Sequence, residues 1–524
     1  MLLRRTATLL AALFVVFVLI APSDLDKFTF EAFLRVPLEA LVGVLVLVLV
    51  PDRFRKPLAL AGGVALGLFT IVKIMDIGFD MVLYRPFDLV LDWPLLVPAV
   101  DFVDVTFGRA ASVLAVVAAV ALVAGIVALA SISVLRLSSV AAGRRPAAIR
   151  AVALAVVGCV SLAVPGVPVY SDAAAASVVD HARRVQAGLH DQEAFAAEAS
   201  VDAFRGQQGL LSALQGKDVV ITFVESYGKT ALDLPEVSAK LAQGNDRLKA
   251  AGYTAKSAFL TSPTAGGGSW MAQATLLSGL WIDNQQRYRN LVASDRLTLP
   301  RAFREASWRS VGIVPGITQA WPEGDFFHYD KVYAAQDLGY TGPRFGYATT
   351  PDQFTLESFQ RNERAKAQGP LMAAIPMVSS HAPWSPTPDS VAWDKLGDGS
   401  IYRTMPSSND PPESIFGRNP AAVRADYGHS ISYSLESVVS YLERYGDENL
   451  VFVFLGDHQP AQMVTGEGAS RDVPITIVAK DPAVQALVGA WKWDDGIRPG
   501  GSAPVSKMSD FRDQFLSTFS APRP

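Results

Sequence analysis

The chain has 524 residues, of which 50% are hydrophobic and 18% charged, and its formal net charge is −4. This charge excludes the basic footprint of a nucleic-acid-binding protein, so we expect no nucleic acid partner. The single cysteine, Cys159, excludes an intramolecular disulfide and a cysteine-based zinc site.

The first part of the chain has the pattern of a membrane domain. A helix that spans a bilayer needs about 20 mostly apolar residues. Five segments approximately meet this requirement: Ala7–Ala21, Val36–Val50, Leu58–Ile74, Ala111–Leu135 and Ile149–Val169. They predict a five-helix transmembrane domain over residues 1–170. The first segment is short, but the poor cleavage site after it and the second span close behind favour an uncleaved helix over a signal peptide.

Basic residues in the short loops predict the orientation, because cytoplasmic loops carry an excess of Lys and Arg. The basic loops precede span one, join spans two and three, and join spans four and five (Arg4, Arg5, Arg53, Arg55, Lys56, Arg136, Arg144, Arg145 and Arg150). The other two loops carry more acidic than basic residues. The alternation predicts a multi-pass protein of the cytoplasmic membrane, with its N-terminus inside and everything after Val169 outside. This domain is either a simple anchor or also presents a lipid substrate.

Residues 171–217 are rich in Ala, Glu, Gln and Arg and are predicted to form a helical linker, on which His181 and His190 should be solvated. In residues 218–524, apolar runs alternate with helical patterns. The runs are Val219–Val224, Ser310–Val314, Met372–Val378, Leu450–Leu455 and Pro474–Ala479. Such alternation predicts an α/β fold with a mostly parallel sheet sandwiched by helices. Pro376 within its run favours an edge strand.

Three of these runs lead to residues that can bind a cation or a phosphoryl group. Glu225 follows the first, His381 lies just beyond the third, and Asp457-His458 follow the fourth. Because ligands of open α/β sheets bind beyond the carboxyl ends of the strands, these side chains should converge on one cleft. Each motif alone has an ordinary structural explanation, such as an exposed strand-end glutamate. Their combination indicates metal-assisted phosphoryl transfer.

Ser269 follows three glycines and begins an amphipathic helix. Serine is a favoured N-cap, and a helix N-terminus also offers free N–H groups and a positive dipole end to a phosphate. With Glu225, Asp457 and His458, the Ser269 hydroxyl completes a set of three oxygens and one nitrogen, which suits Mn²⁺, Mg²⁺ or Zn²⁺. His381 is a candidate to bind a phosphoryl oxygen or to protonate a leaving group.

Four motifs resemble those of the lipoteichoic acid synthase and phosphoglycerol transferase branch of the alkaline phosphatase/sulfatase superfamily. They are Phe223-Val224-Glu225-Ser226-Tyr227, Gly267-Gly268-Ser269, Ser379-Ser380-His381-Ala382-Pro383 and Gly456-Asp457-His458. The resemblance covers the five-span plan and the soluble domain from about Asp218 to Val478. It implies an alkaline phosphatase/sulfatase-like fold and a divalent metal, Mn²⁺ before Mg²⁺ or Zn²⁺, held by Glu225, Ser269, Asp457 and His458. It also implies that Ser269 attacks a membrane phospholipid and that His381 binds the substrate.

The sequence departs from this family at identifiable positions. Trp321 matches the substrate-binding tryptophan of the family, but Glu323 stands at the expected arginine position, which questions a glycerol-phosphate head group. Phosphoethanolamine transferases share the plan, but their soluble domains are usually disulfide-rich. Sulfatases require Cys or Ser followed by x-Pro-x-Arg, and Ser269-Trp270-Met271-Ala272-Gln273 lacks both residues, which argues against sulfatase activity.

We therefore expect a membrane-anchored, metal-dependent phosphotransferase. It would move a phosphoglycerol-like head group from a membrane phospholipid, through a phosphoserine, to an envelope glycan or lipid acceptor. The first alternative is a phosphodiesterase or phosphatase of the same superfamily, with water as the acceptor. The second is a non-catalytic membrane protein whose outer domain binds an envelope ligand.

Overall fold

The computed structural model describes the chain apart from residues 1, 24–26, 84, 97–99, 101–102, 105–107, 162–168, 319–320, 411, 416, 467 and 522–524. Its contacts define two compact units. The first, called the membrane unit, comprises Met1–Met81 and Arg85–Asp191. The second, called the soluble unit, comprises Val82–Tyr84 and Gln192–Pro524.

The membrane unit consists mainly of helices. They are α1 Leu2–Ile20, α2 Leu38–Leu49, α3 Asp52–Leu83, α4 Arg109–Gly143, α5 Arg145–Ser161 and α6 Ala173–Ser200, whose last part belongs to the soluble unit. Two short strands, β1 Val36–Pro37 and β2 Tyr170–Ser171, pair in parallel. Helices α3 and α4 pack so closely at Gly63 that a β-carbon there would lie only 2.5 Å from Ser131 Cα. Such small-residue contacts are typical of helix packing in membranes.

Within the described residues, three helices are long and apolar enough to cross a membrane: Leu3–Ile20, Asp52–Met81 and Arg109–Gly143. They agree with membrane anchoring and cover the first, third and fourth predicted spans. The second predicted span, Val36–Val50, contains only the 12-residue helix α2, which begins after Pro37 and ends before Pro51. The fifth, Ile149–Val169, begins within α5, but its residues 162–168 lie outside the described residues. A five-span arrangement therefore stays a prediction.

The basic residues predicted to be cytoplasmic meet at one end of these helices. Arg136 Nε donates to Thr8 Oγ1 at 3.0 Å, and Arg145 pairs with Asp52. The end of α1 and the later part of α3 are also joined, since Lys73 Nζ donates to Val18 O at 2.9 Å. The membrane unit thus has one basic end and an opposite end formed by Ile20, the end of α3 and the start of α6.

The soluble unit is an α/β domain. Its strands are β3 Asp218–Val224, β4 Thr254–Thr261, β5 Arg309–Val314, β6 Lys331–Ala334, β7 Leu371–Met377, β8 Leu450–Gly456, β9 Asp472–Ala479, β10 Asp494–Asp495 and β11 Val505–Lys507. Its helices are α7 Pro235–Ala250, α8 Ser269–Ser278, α9 Gln285–Val292, α10 Leu299–Glu305, α11 Asp352–Asn362, α12 Pro420–Tyr445, α13 Gln462–Thr465, α14 Pro482–Gly489 and α15 Asp510–Phe519.

These strands form one nine-stranded sheet in the order β10-β4-β9-β8-β3-β7-β5-β6, with β11 also paired to β4. The β8-β3-β7-β5-β6 portion is parallel, whereas β9 runs antiparallel to both β8 and β4. The sheet is therefore mixed, with the predicted parallel arrangement in the portion that carries the site. Alternate residues of β3 enter different cores: Ile221 and Phe223 one, Val220 and Val224 the other. The predicted cover on both faces is confirmed.

The expectation that Pro376 marks an edge strand is wrong. Strand β7 lies between β3 and β5, and Pro376 stands opposite Phe223 in the register. The missing proline N–H is tolerated because β5 pairs with β7 only from Leu371 to Ala374. Beyond Ala374 the ladder on that side has ended, so Pro376 interrupts no pairing there.

Candidate active site

Two neighbouring parallel strands bring the predicted ligands together. Val224 at the end of β3 stands opposite Gly456 at the end of β8. Glu225 therefore follows β3 at the same level of the sheet at which Asp457 and His458 follow β8. All three side chains are buried, with exposed fractions of 6%, 1% and 1%. One potential ligand atom from each lies within 4.8 Å of the other two.

Glu225 is held by hydroxyl groups on both carboxylate oxygens. Ser226 Oγ donates to Oε1 at 2.8 Å, and Ser269 Oγ donates to Oε2 at 2.9 Å. The chain turns sharply at Ser226, whose φ of 57° lies in the left-handed region. Such a conformation costs a non-glycine residue about 1 kcal/mol or more and is concentrated at functional sites. The turn aims the Ser226 hydroxyl and N–H at two different carboxylates of the cluster.

Ser269 is the first residue of α8, and the N-cap is Gly268, with φ of 82°. The interpretation of Ser269 as a capping serine is therefore wrong: its hydroxyl contacts the cluster. Its Oγ lies 3.1 Å from His458 Nε2 in addition to its bond with Glu225. The hydroxyl thus lies between a carboxylate and an imidazole, at the N-terminus of a helix.

His458 presents a defined nitrogen to the cluster. Its Nδ1 donates to the carbonyl of Gln459 at 2.8 Å, because a carbonyl can only accept. Nε2 is left to face the site, 3.4 Å from Glu225 Oε1 and 3.8 Å from Asp457 Oδ2. A backbone partner on one ring nitrogen is the usual way in which a metal-binding histidine is oriented.

Asp457 uses one oxygen for the protein and leaves the other for the site. Oδ1 accepts the backbone N–H groups of Ser226 at 2.8 Å and His458 at 2.7 Å. Oδ2 is the oxygen nearer to His458 Nε2. These backbone donors fix the orientation of the Asp457 carboxylate.

The titration behaviour of the cluster follows from its burial and its opposing charges. Burial, followed by the neighbouring Glu225 carboxylate, raises the pKa of Asp457 to about 7. Burial acts in the same direction on Glu225, but His458, His381 and the two serine hydroxyls outweigh it and hold that pKa below its usual value. Burial disfavours charged His458, but the two carboxylates prevail and raise its pKa. The cluster is built to hold positive charge among its carboxylates.

His381 follows β7 and lies beside this cluster rather than within it. Its Nδ1 donates to the carbonyl of Ala382 at 2.8 Å, and its ring stacks on Tyr347 with centroids 4.2 Å apart. Its charge contributes to the lowered pKa of Glu225. His381 is half-buried, so its Nε2 is the nitrogen that remains to exchange a proton or contact a substrate.

Asp352, at the start of α11, holds the loop that carries His381. Its Oδ1 accepts the N–H groups of Val378 at 2.8 Å and Ser379 at 2.9 Å, and its Oδ2 accepts Ser434 Oγ at 2.6 Å. The next residue, Ser380, donates its hydroxyl to the Glu225 carbonyl at 2.6 Å. Sequence reasoning missed Asp352, because nothing in its local pattern distinguishes it from an ordinary acidic residue in the first turn of a helix.

Gln459 was also missed, although it joins the two loops of the site. Its carbonyl accepts both His458 Nδ1 and the N–H of Gly266, at 2.8 Å each. A β-carbon at Gly228 would lie 1.8 Å from Gln459 Oε1, so the turn after Glu225 requires glycine there. The position of Gln459 next to the Asp-His pair was the available signal. Its bond with Gly266 joins residues that are far apart in the sequence, so no local pattern reveals it.

Trp321 lies in a different environment from the cluster. It is half-buried, packs against the core and stacks on Phe327 with centroids 5.8 Å apart. Glu323, two residues later, is exposed. Trp321 remains a candidate substrate-binding residue, but these contacts also give it a packing role.

The chemistry of the cluster fits a divalent cation. Two carboxylates, an imidazole nitrogen and a hydroxyl supply three oxygens and one nitrogen within a small volume. Burying carboxylates is costly unless they are paired or bind a cation. An oxygen-rich set with one imidazole suits Mn²⁺, Mg²⁺ or Zn²⁺.

Comparison with known proteins finds a family similarity for part of this chain. Residues 217–472 match the family model described as Sulfatase. The matched residues include Glu225, Ser269, Asp457 and His458 and lie within the soluble unit, so this part of the chain is similar to the Sulfatase family. No curated protein matches the chain.

Solved structures similar to this chain include one synthase and two transferases. The lipoteichoic acid synthase LtaP from Listeria monocytogenes is 15% identical, covers 63% of this chain and 80% of its own, and has a TM-score of 0.38. The phosphoglycerol transferase GacH from Streptococcus pyogenes, in complex with sn-glycerol-1-phosphate, is 14% identical with the same coverage and TM-score. The integral membrane phosphoethanolamine transferase EptA from Neisseria meningitidis is 13% identical, covers 97% of this chain and 95% of its own, and has a TM-score of 0.46.

Proposed function

We propose that this protein is a membrane-anchored, metal-dependent phosphotransferase that acts outside the cytoplasmic membrane. It takes a phosphoglycerol-like head group from a membrane phospholipid and passes it to an envelope glycan or lipid acceptor. The observation that carries this proposal is the position of the Ser269 hydroxyl, 2.9 Å from Glu225 Oε2 and 3.1 Å from His458 Nε2. The sulfatase-family match over residues 217–472 supports the same class of chemistry.

Glu225, Asp457, His458 and the Ser269 hydroxyl would hold the divalent cation, Mn²⁺ before Mg²⁺ or Zn²⁺. Such a cation supplies positive charge that lowers the pKa of a hydroxyl and polarises a phosphoryl group. The chain itself orients the nucleophile, since the Glu225 carboxylate accepts a hydrogen bond from the Ser269 hydroxyl. The N-terminus of α8 adds its dipole to favour negative charge at the same place.

The reaction would proceed by two displacements at phosphorus. In the first, the Ser269 hydroxyl loses its proton and its oxygen bonds to phosphorus, while the bond from phosphorus to the diacylglycerol oxygen breaks and that oxygen takes a proton. In the second, an acceptor hydroxyl loses its proton, attacks the phosphoserine and releases the Ser269 oxygen, which regains a proton. A covalent intermediate of this kind divides one difficult transfer into two easier ones.

His381 would handle protons for both displacements. Since Nδ1 donates to the Ala382 carbonyl, proton exchange passes through Nε2. Protonated His381 can bind the phosphoryl oxygens or give its proton to the departing oxygen, and neutral His381 can take the proton of the acceptor hydroxyl. The stacked ring of Tyr347 limits how the imidazole can rotate between these roles.

The direct test is a search for phosphoserine in the full-length protein reconstituted with Mn²⁺ and phospholipid labelled in its head group. Intact-protein mass spectrometry and peptide mapping should locate the transferred group on Ser269. Ser269→Ala should abolish diacylglycerol release. Ser278→Ala, which removes a hydroxyl from the other end of the same helix, should retain most of it.

The acceptor is identified in the same reaction by adding candidate glycans or lipids. Release of the labelled head group to water alone would replace the transferase by a hydrolase of the same superfamily. Full lipid turnover by Ser269→Ala would remove Ser269 from the mechanism. Unchanged lipid composition in cells that carry Glu225→Ala, together with no bound metal, would favour a ligand-binding protein without catalysis.

A further inference from the structure

The membrane unit contains a polar cavity that shares no residue with the Ser269 cluster. Its volume is about 690 Å³, and the described residues that line it all belong to the membrane unit. The lining comes from three separate stretches of the chain: the segment after α1, the end of α3 with the residues just beyond it, and the first turns of α6. The size is sufficient for a phospholipid head group, because small-molecule sites occupy roughly 300–1,000 Å³.

The cavity lies at the end of the membrane helices opposite the basic end. Ile20, the last residue of α1, lines the cavity, whereas Thr8 of the same helix contacts Arg136 at the basic end. The predicted topology puts the basic end in the cytoplasm, so the cavity lies at the outer ends of the spans. Phospholipid phosphates lie at this level, just beyond the hydrocarbon core.

Two guanidinium groups line the cavity and have no ion-pair partner within the part of the chain that the structure describes. They belong to Arg35, which is half-buried, and Arg184, which is exposed on α6. Arg85, just beyond α3, differs in this respect, since both its terminal nitrogens bond to the carboxylate of Asp92. Arginine without a carboxylate partner is suited to bind phosphate oxygens, and often in a bidentate manner.

Three carboxylates line the cavity, those of Asp76, Asp80 and Asp180, and they differ in their partners. Asp76 is buried, accepts the Phe87 N–H at 3.1 Å and lies 3.0 Å from His181 Nε2. Asp180 lines the same cavity, is exposed and has no ion-pair partner among the described residues. Asp180 can therefore accept hydrogen bonds from a ligand, while the Asp76–His181 pair gives the cavity a firm wall.

We propose that this cavity binds the phosphodiester head group of an outer-leaflet phospholipid. Arg35 and Arg184 bind the phosphate oxygens, and Asp180 accepts hydrogen bonds from the amine or hydroxyl groups of the head group. Apolar residues at the cavity, among them Ile20 and Ala32, adjoin the position of the acyl chains. A bare phosphate satisfies the arginines but leaves Asp180 facing an anion, so a head group with its own donors is the better match.

The test measures binding without turnover, so that it is independent of the proposed phosphotransfer. Full-length Ser269→Ala protein in nanodiscs or detergent is equilibrated with phosphatidylethanolamine, phosphatidylglycerol or diacylglycerol, and bound lipid is counted by native mass spectrometry. Parallel samples contain millimolar inorganic phosphate or glycerol phosphate as soluble competitors. The test variants are the double change Arg35→Gln with Arg184→Gln and each of these changes alone. The control is Arg183→Gln, which alters a neighbouring exposed arginine that does not line the cavity.

We expect the double variant to lose phospholipid affinity by about tenfold or more, as for the removal of charge-assisted hydrogen bonds. Arg183→Gln and diacylglycerol binding should show no such change. If the double variant cannot be purified as a monodisperse protein, the single change at exposed Arg184 provides the test, and its phospholipid affinity should fall several-fold. Equal phospholipid binding by wild type and variants would overturn the proposal. Displacement of lipid by inorganic phosphate at similar concentration would overturn it in favour of a free-phosphate site.

Discussion

The two polar sites of this protein are built in opposite ways. In the Ser269 cluster, Glu225, Asp457 and His458 are buried, and backbone groups or hydroxyls fix the atoms that do not face the site. In the cavity of the membrane unit, Arg35, Arg184 and Asp180 line open space without such partners among the residues that the structure describes. Phosphoryl transfer requires reacting groups held in place before the substrate arrives, whereas a head group can be bound by side chains that close around it.

The difference also separates the consequences of mutation. A change in the cluster should alter cation affinity and turnover together, because one set of atoms serves both. A change in the cavity should alter lipid binding while the cluster remains intact. The following predictions concern the cluster and test how rigid and how interdependent it is.

The largest effect should follow the removal of a cluster carboxylate. Asp457→Asn or Glu225→Gln should lower Mn²⁺ affinity by more than about 100-fold, because a lost first ligand costs more than the loss of an outer-shell partner. Equilibrium dialysis or isothermal titration measures this change. Glu448→Gln, an exposed carboxylate just before the opposite end of β8, provides the matched control and should bind Mn²⁺ normally. Equal affinity in all three variants would show that these carboxylates do not hold the cation.

A glycine contact should have the next largest effect. In Gly228→Ala, the new β-carbon would lie 1.8 Å from Gln459 Oε1 and 2.9 Å from its Cα. We expect the free energy of unfolding to fall by about 1–3 kcal/mol, as for overpacked sites. Turnover should fall as well, because the new β-carbon displaces a residue of the site. Gly489→Ala is the control, since nothing lies within 4 Å of its β-carbon position. Denaturant titration of both variants gives the comparison, and equal stability would contradict the close packing described for these loops.

Cation binding should depend on pH in a direction that the cluster defines. The pKa of Asp457 is raised to about 7, so this carboxylate is increasingly protonated as pH falls below 7. A proton and a cation compete for the same oxygen, and Mn²⁺ affinity should therefore fall by about tenfold for each pH unit below that value. Titration calorimetry in buffers of different ionisation enthalpy should also detect proton release at pH 6. Affinity that is constant from pH 8 to pH 5 would contradict the raised pKa.

The smallest effect should come from the residue that positions His381. Asp352→Asn can keep its two backbone acceptor bonds, but its amide replaces the oxygen that accepts Ser434 Oγ. We expect turnover to fall by several-fold, about 1 kcal/mol in the barrier, while Mn²⁺ affinity stays within about twofold. Ser434→Ala should show a similar but weaker change. A loss of Mn²⁺ affinity as large as that of Asp457→Asn would show that Asp352 supports the cluster itself rather than the His381 loop.

Much of the site was predictable because buried parallel strands are continuous apolar runs. Each run identified a strand end, and neighbouring parallel strands necessarily bring Glu225 and Asp457 to the same edge. Strand β4 was missed, because Thr254–Thr261 mixes polar residues with a short apolar stretch. It pairs antiparallel with β9, which is far away in the sequence, so no local pattern indicates this pairing.

Side-chain environments were less predictable than strand positions. His181 was expected to be solvated on a polar helix, yet it is 7% exposed and pairs with Asp76. Its partner is 105 residues away, so no periodicity in the helix could reveal the contact. The roles of Asp352 and of the Gln459 carbonyl depend in the same way on groups distant in sequence.

The central claim is that Glu225, Ser269, Asp457 and His458 hold one cation. A crystal structure of the soluble unit or the full chain with Mn²⁺, with anomalous data at the manganese edge, tests it most directly. The account predicts one anomalous peak with all four side chains at coordination distances of about 2.0–2.3 Å. A peak elsewhere, or a cation in this cleft with any one of the four side chains too far away to bind it, would contradict the account.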